Sequence, residues 1–156
     1  MGPAGSGKTT VGELLGSQLG WKFVDGDSFH SPANIEKMAR GVPLDDKDRM
    51  PWLNSIAAAM VQWDSQRRDT VLACSALKRN YRERLQINDG VKLIYLKGTY
   101  DLLRERLHSR TGHYAGEQLL ASQFADLEEP TDAITVNVDG TPEDIVTEIR
   151  KRLALA

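Results

Sequence analysis

The run Gly2-Pro3-Ala4-Gly5-Ser6-Gly7-Lys8-Thr9 constrains this chain more than any other feature it carries. It fits the pattern G-x-x-x-x-G-K-[ST]. In that pattern the glycines allow backbone angles that turn successive N–H groups onto a phosphate, the lysine adds a point charge, and the hydroxyl can ligate magnesium. Val11, Leu14, Leu15 and Leu19 then form one helical stripe, so the helix opening near Lys8 brings its positive dipole end to the same place. A Gly-rich turn that merely opens a helix is the bland alternative. The helix that follows makes a nucleoside triphosphate site the stronger inference, with Gly2, Ala4, Gly5, Ser6, Gly7, Lys8, Thr9 and Thr10 as its residues.

Beyond this loop, short β-type runs alternate with amphipathic helices, the mark of an α/β fold with a parallel sheet between helical layers. The runs are residues 22–24, 70–74, 92–96 and 134–138, apolar on both sides as central strands require. Helical stripes follow: Leu53, Ile56, Ala57 and Met60; Tyr81 and Leu85; Leu103 and Leu107; Leu119, Leu120, Phe124 and Leu127. A last helix opens at Thr141-Pro142-Glu143-Asp144, with Thr141 as N-cap, Pro142 at the first position and Asp144 closing a capping box over the face of Ile145, Ile149 and Leu153. Residues 25–51 and 110–117 resist this reading and are candidate functional loops.

With 156 residues and no linker-like tract, one domain over residues 1–156 is expected. Lys and Arg number 20 against 22 Asp and Glu, a net charge of -2, which gives no basic excess for nucleic acid or an anionic membrane. The longest apolar run, residues 56–61, is far too short to span a bilayer. There is no secretory leader pattern and a single cysteine, Cys74, so a cytoplasmic protein is expected, with Cys74 read as a small buried hydrophobe rather than a nucleophile.

The run 22–24 delivers Asp25-Gly26-Asp27 to the carboxyl edge of a strand, where doubly wound sheets bind ligands. Two carboxylates two residues apart on an extended segment point the same way. One can order a metal's water shell while the other takes a hydroxyl proton; an Asp-Gly turn capping the next helix is the competing reading. A polar cluster follows: His30, Asn34, Lys37, Asp45, Asp46, Asp48 and Arg49, then Pro51-Trp52. It suits a polyhydroxylated anion, with Arg49 or Lys37 meeting a carboxylate. Alternatively, residues 45–48 decorate a helix N-terminus.

Asp25-Gly26-Asp27-Ser28-Phe29-His30-Ser31-Pro32-Ala33-Asn34-Ile35-Glu36-Lys37-Met38, continuing through Gly41-Val42-Pro43-Leu44-Asp45-Asp46-Lys47-Asp48-Arg49-Met50-Pro51-Trp52-Leu53, closely resembles the signature of the gluconate kinase (gluconokinase) family. So do Cys74-Ser75-Ala76-Leu77-Lys78-Arg79-Asn80-Tyr81-Arg82 and Gly112-His113-Tyr114, with Ser122-Gln123-Phe124 and Leu127-Glu128-Glu129-Pro130 after it. The resemblance implies a three-layer P-loop, adenylate-kinase-like fold similar to that of shikimate kinase. It also implies ATP-dependent phosphorylation of the 6-hydroxyl of D-gluconate with Mg²⁺, in a cytoplasmic homodimer. By the same likeness Lys8 and Thr9 hold phosphates and metal, Asp25 supports the metal, and Asp27 sits at the acceptor hydroxyl. Arg49 meets the substrate carboxylate, and His30, Lys37, Lys78, Arg82 and His113 contribute to the acceptor side. The acceptor region covers about residues 26–55, and a lid over ATP covers about residues 106–118. Two rivals stand beside this reading: a kinase of another small hydroxy acid such as shikimate, and a nucleotide-binding module that has lost catalysis.

The residues themselves leave several roles open. Ser75 is as good an N-cap as a ligand. Arg106 and Arg110, four apart beside a Gly-containing loop, either lie on a solvated helix face or neutralise charge on the transferring phosphoryl. His113 can equally be a packing residue. Finally, a P-loop ordinarily follows a buried strand, yet only Met1 precedes Gly2. The first strand is therefore expected to be missing here, supplied in the working protein by about five to ten further apolar residues. Without it, runs 70–74 and 92–96 stand about 10 Å apart, too far to pair, and stability and activity suffer.

Overall fold

The computed structural model describes residues 1–111 and 115–155. In chain order the elements are α1 (Lys8–Leu19), β1 (Lys22–Asp25), a 3-10 turn (Gly26–Phe29), α2 (Pro32–Ala39), α3 (Asp46–Ser65), β2 (Thr70–Ala73) and α4 (Arg79–Leu85). β3 (Ile94–Lys97), α5 (Tyr100–Thr111), α6 (Ala115–Asp126), β4 (Ile134–Asn137) and α7 (Pro142–Arg152) complete it. Residues 25–51, expected as loop, hold the 3-10 turn, α2 and the start of α3. Their glycines, prolines and aspartates are caps and first-turn residues: Ser31 accepts from the Asn34 N–H with Pro32 behind it, and Asp45 forms a capping box with Asp48.

All strand pairing is parallel. β1 pairs with β2 from Lys22 opposite Thr70 to Asp25 opposite Ala73, and β3 pairs with β4 from Ile94 opposite Ile134 to Lys97 opposite Asn137. The two pairs are not hydrogen-bonded to each other as strands. Met1 and Gly2 reach between them. The Met1 amine donates to Ile94 O at 2.6 Å, the Leu96 N–H donates to Met1 O at 2.9 Å, and the Gly2 N–H donates to Ser75 O at 3.2 Å. Met1 thus occupies one strand position beside β3, and its side chain packs on the cluster around Trp52, Leu53 and Tyr81. Burial pushes its amine down to about 5.

Behind Met1 a groove of about 510 Å³ runs between β2 and β3, walled by Val11, Leu15, Val71, Leu72, Ile94 and Leu96. This corrects the expectation of strands covered on both faces. Thr70, Val71 and Leu72 of β2 are only half-buried, because one flank of that strand opens onto the groove. The larger apolar cluster joins α1, β3, α5, α6, β4 and α7 through Val11, Leu96, Leu103, Leu120, Val136 and Ile149. α1 lies close on β1 because Gly12 leaves room there; a Cβ would stand 2.6 Å from the Phe23 ring.

Candidate active site

The loop preceding α1 is shaped by glycine. Gly5 and Gly7 have φ of +80° and +88°, and a Cβ on Gly5 would also meet Leu103 O at 2.8 Å. Gly7 is the N-cap of α1, so no side chain satisfies the first N–H groups of the helix, and no carboxylate stands in its first turn. Lys8, Thr9 and Thr10 therefore bring unsatisfied backbone donors and the positive dipole end to the cavity they line. Lys8 Nζ donates to Pro3 O at 3.0 Å. Burial lowers its ammonium from the ordinary value, with Asp27 and then Asp25 pulling the other way. Ala4, Gly5 and Gly7 also line the cavity, whereas Gly2 and the fully buried Ser6 support the loop from behind.

Asp25 ends β1, and its Oδ1 accepts from the Asp27 N–H at 2.9 Å, capping the 3-10 turn. Asp27 is accordingly within that turn and not on an extended segment, because the cap bends the chain straight after the strand. Both carboxylates still line the cavity, and the Asp27 side chain is 69% exposed there. His30 is buried and stacks on Trp52 at 4.3 Å between ring centroids, while Trp52 Nε1 donates to Gly26 O at 2.8 Å. Asn34 Nδ2 donates to Asp48 O at 2.9 Å and lies 3.3 Å from His30 Nδ1. A donor at Nδ1 assigns the imidazole proton to Nε2, which sits 3.8 Å from an Asp27 oxygen. Burial lowers the His30 pKa, partly opposed by Asp27.

Arg49 rises from the first turn of α3 and is buried. Its Nη1 donates to Asp126 Oδ2 at 2.9 Å and to Tyr81 Oη at 3.1 Å. Burial alone would lower its pKa; the bonds to Tyr81 and Asp126 outweigh that and raise it. Tyr81 in turn donates to Asp46, which also accepts from Lys78 Nζ at 2.9 Å. These two bonds hold the Asp46 carboxyl below its usual range.

Several expected site residues are engaged elsewhere. Lys37 is held by Asp48 at 3.0 Å and Lys78 by Asp46, and neither lines the cavity. Arg82 donates to the carbonyls of Ala76, Leu77 and Glu128 and acts as a strut beneath α4. Arg106 Nη2 donates to Val138 O, away from the cavity wall, whereas Arg110, four residues on, lines it. His113 lies outside the described residues. Ser75 is not an N-cap, since Lys78 precedes α4; it lines the cavity instead. Cys74 is buried and its thiol is pushed up to about 11 by desolvation, which leaves it inert.

The structure therefore gathers Lys8, Thr9, Asp25, Asp27, Arg49 and Arg110 around one cavity of about 240 Å³, with His30, Trp52 and Leu44 on its wall. Gln123 was not foreseen as a site residue. It reaches from α6 to accept the Ala4 N–H at 2.6 Å and joins the cavity wall with Ser122. Among the described residues there is no group of three or more His, Cys, Asp or Glu that could cage a metal. Thr9 and Asp25 offer two hard oxygens, which fits an ion such as Mg²⁺ that keeps waters and takes phosphate oxygens. Also among the described residues, no helix is long and apolar enough to cross a membrane.

Comparison with known proteins agrees with this geometry. The shikimate kinase family model matches residues 4–154. The thermoresistant gluconokinase of Escherichia coli is 42% identical over 94% of this chain and 86% of its own length. The crystal structure of a gluconokinase from Sinorhizobium meliloti superposes with a TM-score of 0.89 at 40% identity, over 99% of this chain and 89% of the other. A shikimate kinase from Acinetobacter baumannii shares the fold alone, with a TM-score of 0.58 and 20% identity over 98% of this chain and 90% of its own. A P-loop that opens an uncapped helix onto paired aspartates, and relatives of this identity over nearly the whole chain, have one common account: the chain belongs to the gluconokinase family of ATP-dependent P-loop kinases.

Proposed function

We propose that this protein phosphorylates the 6-hydroxyl of D-gluconate with ATP and Mg²⁺. The observation that carries the reading is the single cavity in which an uncapped helix N-terminus and Lys8 face Asp27 and Arg49. The P-loop amides, Lys8 and the first turn of α1 bind the triphosphate. Thr9 and Asp25 hold the metal, whose contribution is to neutralise phosphate charge. Arg49 takes the acceptor's carboxylate, and Asp27 orients the acceptor hydroxyl and accepts its proton. As the O–P bond to the acceptor forms, the bond from the bridging oxygen to the γ-phosphorus breaks, and ADP leaves with that electron pair. Arg110 supplies further positive charge to the phosphoryl in flight. His30, stacked on Trp52 with its proton on Nε2, steadies the Asp27 side.

The family model's description keeps shikimate as a rival acceptor. A panel of sugar acids and cyclic hydroxy acids, read by coupled ADP release, separates the two. Turnover on gluconate with little on shikimate is expected. The reverse order would transfer the reading to the rival, and Mg-ATP binding without turnover on any acceptor would leave a nucleotide-binding module.

A further inference from the structure

The Arg49 side chain is 9% exposed, yet among the described residues its recorded hydrogen bonds all fall on one nitrogen. Nη1 carries two hydrogens; one goes to Tyr81 Oη and the other to Asp126 Oδ2. The edge formed by Nε and Nη2 is the one suited to a planar carboxylate held by two parallel bonds. Arg49 lines the cavity whereas Asp126 does not, so the carboxylate of Asp126 holds the guanidinium without lining the cavity itself. Asp126 is also held firmly. Three residues earlier on α6, Gln123 accepts the Ala4 N–H, and two residues later the Glu128 N–H donates to Leu77 O at 2.9 Å.

We propose that Asp126 is the positioning residue that sets how tightly Arg49 holds the acceptor's carboxylate, acting as a resident counter-ion that any acceptor anion must share. The inference rests on the reading of Arg49 as the carboxylate site. Its physics is a balance of two effects. A buried guanidinium with no anion is costly to fold, so Asp126 keeps the unliganded site intact. The same negative charge repels a second carboxylate arriving a few ångströms away and weakens it. Tyr81 still holds Nη1 when that charge is removed, and the amide oxygen of Asn can accept the hydrogen bond that Asp126 accepts. Removing the charge while keeping the shape therefore strengthens acceptor binding rather than weakening it.

The experiment compares Asp126→Asn and Asp126→Ser with the unsubstituted enzyme and with Arg49→Gln. It measures KM for gluconate, KM for ATP, and inhibition by sorbitol, an uncharged polyol of similar shape. Both Asp126 variants should lower gluconate KM by about five- to tenfold. ATP KM and sorbitol inhibition should stay within about twofold, because neither reads the charge on Arg49. Arg49→Gln should raise gluconate KM tenfold or more. Two folded Asp126 variants with unchanged or higher gluconate KM, beside an impaired Arg49→Gln, would make Asp126 a purely structural partner and overturn the inference alone. Unchanged gluconate KM in Arg49→Gln would remove the carboxylate site itself, and the inference with it. Tighter sorbitol binding in parallel with gluconate would also defeat it, since charge would then not be the cause.

Discussion

The nucleotide half and the acceptor half of the cavity are built in opposite ways. In the nucleotide half the working groups are backbone amides left free: Gly7 gives α1 no side-chain cap, whereas Ser31, Asp45 and Thr141 cap α2, α3 and α7, and Asp25 caps the 3-10 turn. In the acceptor half nearly every polar side chain is already engaged: Lys37 with Asp48, Lys78 with Asp46, Arg49 with Asp126 and Tyr81, and Asn34 with His30. One half binds by withholding partners and the other by fixing them in advance. A site made of free amides grips any anion of the right size, while a site of interlocked side chains presents few open bonds, each at a set place.

Removing the charge that the P-loop itself carries should have the largest effect. Lys8→Ala is expected to lower kcat by at least about a thousandfold, because it removes the charge that follows the phosphoryl group into the transition state, and Arg110, held on α5, does not take the place of a lysine within the loop. Wild-type kcat in that variant would mean the amides alone suffice. Asp27→Asn probes the facing half. The amide still orients a hydroxyl but cannot take its proton, so kcat should fall by about a hundredfold with both KM values little changed. A near-normal rate would reduce Asp27 to an orienting group.

The same contrast explains what could be read from sequence. The capping box of α7 appears as expected, with Thr141 accepting from the Asp144 N–H and Pro142 in the first turn, because every partner lies within four residues. The P-loop is legible for the same reason. The acceptor half is legible only in part: Asp27, His30 and Arg49 do line the cavity, but the pairings were hidden because the partners are distant in the chain, Lys37 meeting Asp48 across 11 residues, Lys78 meeting Asp46 across 32 and Arg49 meeting Asp126 across 77. Composition marked this region as polar and anion-binding, but it could not say which cations face the cavity and which are struts. Gln123 stands in the Ser122-Gln123-Phe124 block of the resemblance but without a role, for an amide on a helix names no partner until α6 is packed against the P-loop.

The support behind the two halves differs as well. The acceptor half rests on the cluster around Leu53, Ile56 and Tyr81, while the groove between β2 and β3, beside Lys8 and the start of α1, receives the Met1 backbone alongside β3. Adding five Val- and Ile-rich residues before Met1 should extend the Met1 pairing into that groove. Four or five buried side chains at about 2 kcal/mol each exceed an ordering cost of about 1.5 kcal/mol for each of the five residues by about 0.5–2.5 kcal/mol, or about 1–10 °C in Tm. A Lys- and Glu-rich extension of equal length should leave Tm where it is. Equal shifts from both would mean that the groove is not a strand site.

The smallest expected effect lies where His30 meets Asp27. His30 is held neutral by burial, with Arg49 adding to that tendency and Asp27 and Asp25 opposing it. Protonation would place a hydrogen on Nδ1, directly against the donating Asn34 amide, and a second charge near Arg49. Because its folded pKa lies below the unfolded value of about 6.5, the unfolded chain binds more protons in the interval between the two. Stability from this group is therefore full above about pH 6.5 and is lost as pH falls toward the folded pKa. His30→Gln cannot titrate, so the Tm advantage of the unsubstituted protein over that variant should be largest at neutral pH and should shrink on acidification. An advantage that stays constant down to pH 5 would show that the Trp52 stack, and not the charge state of the imidazole, is what His30 contributes.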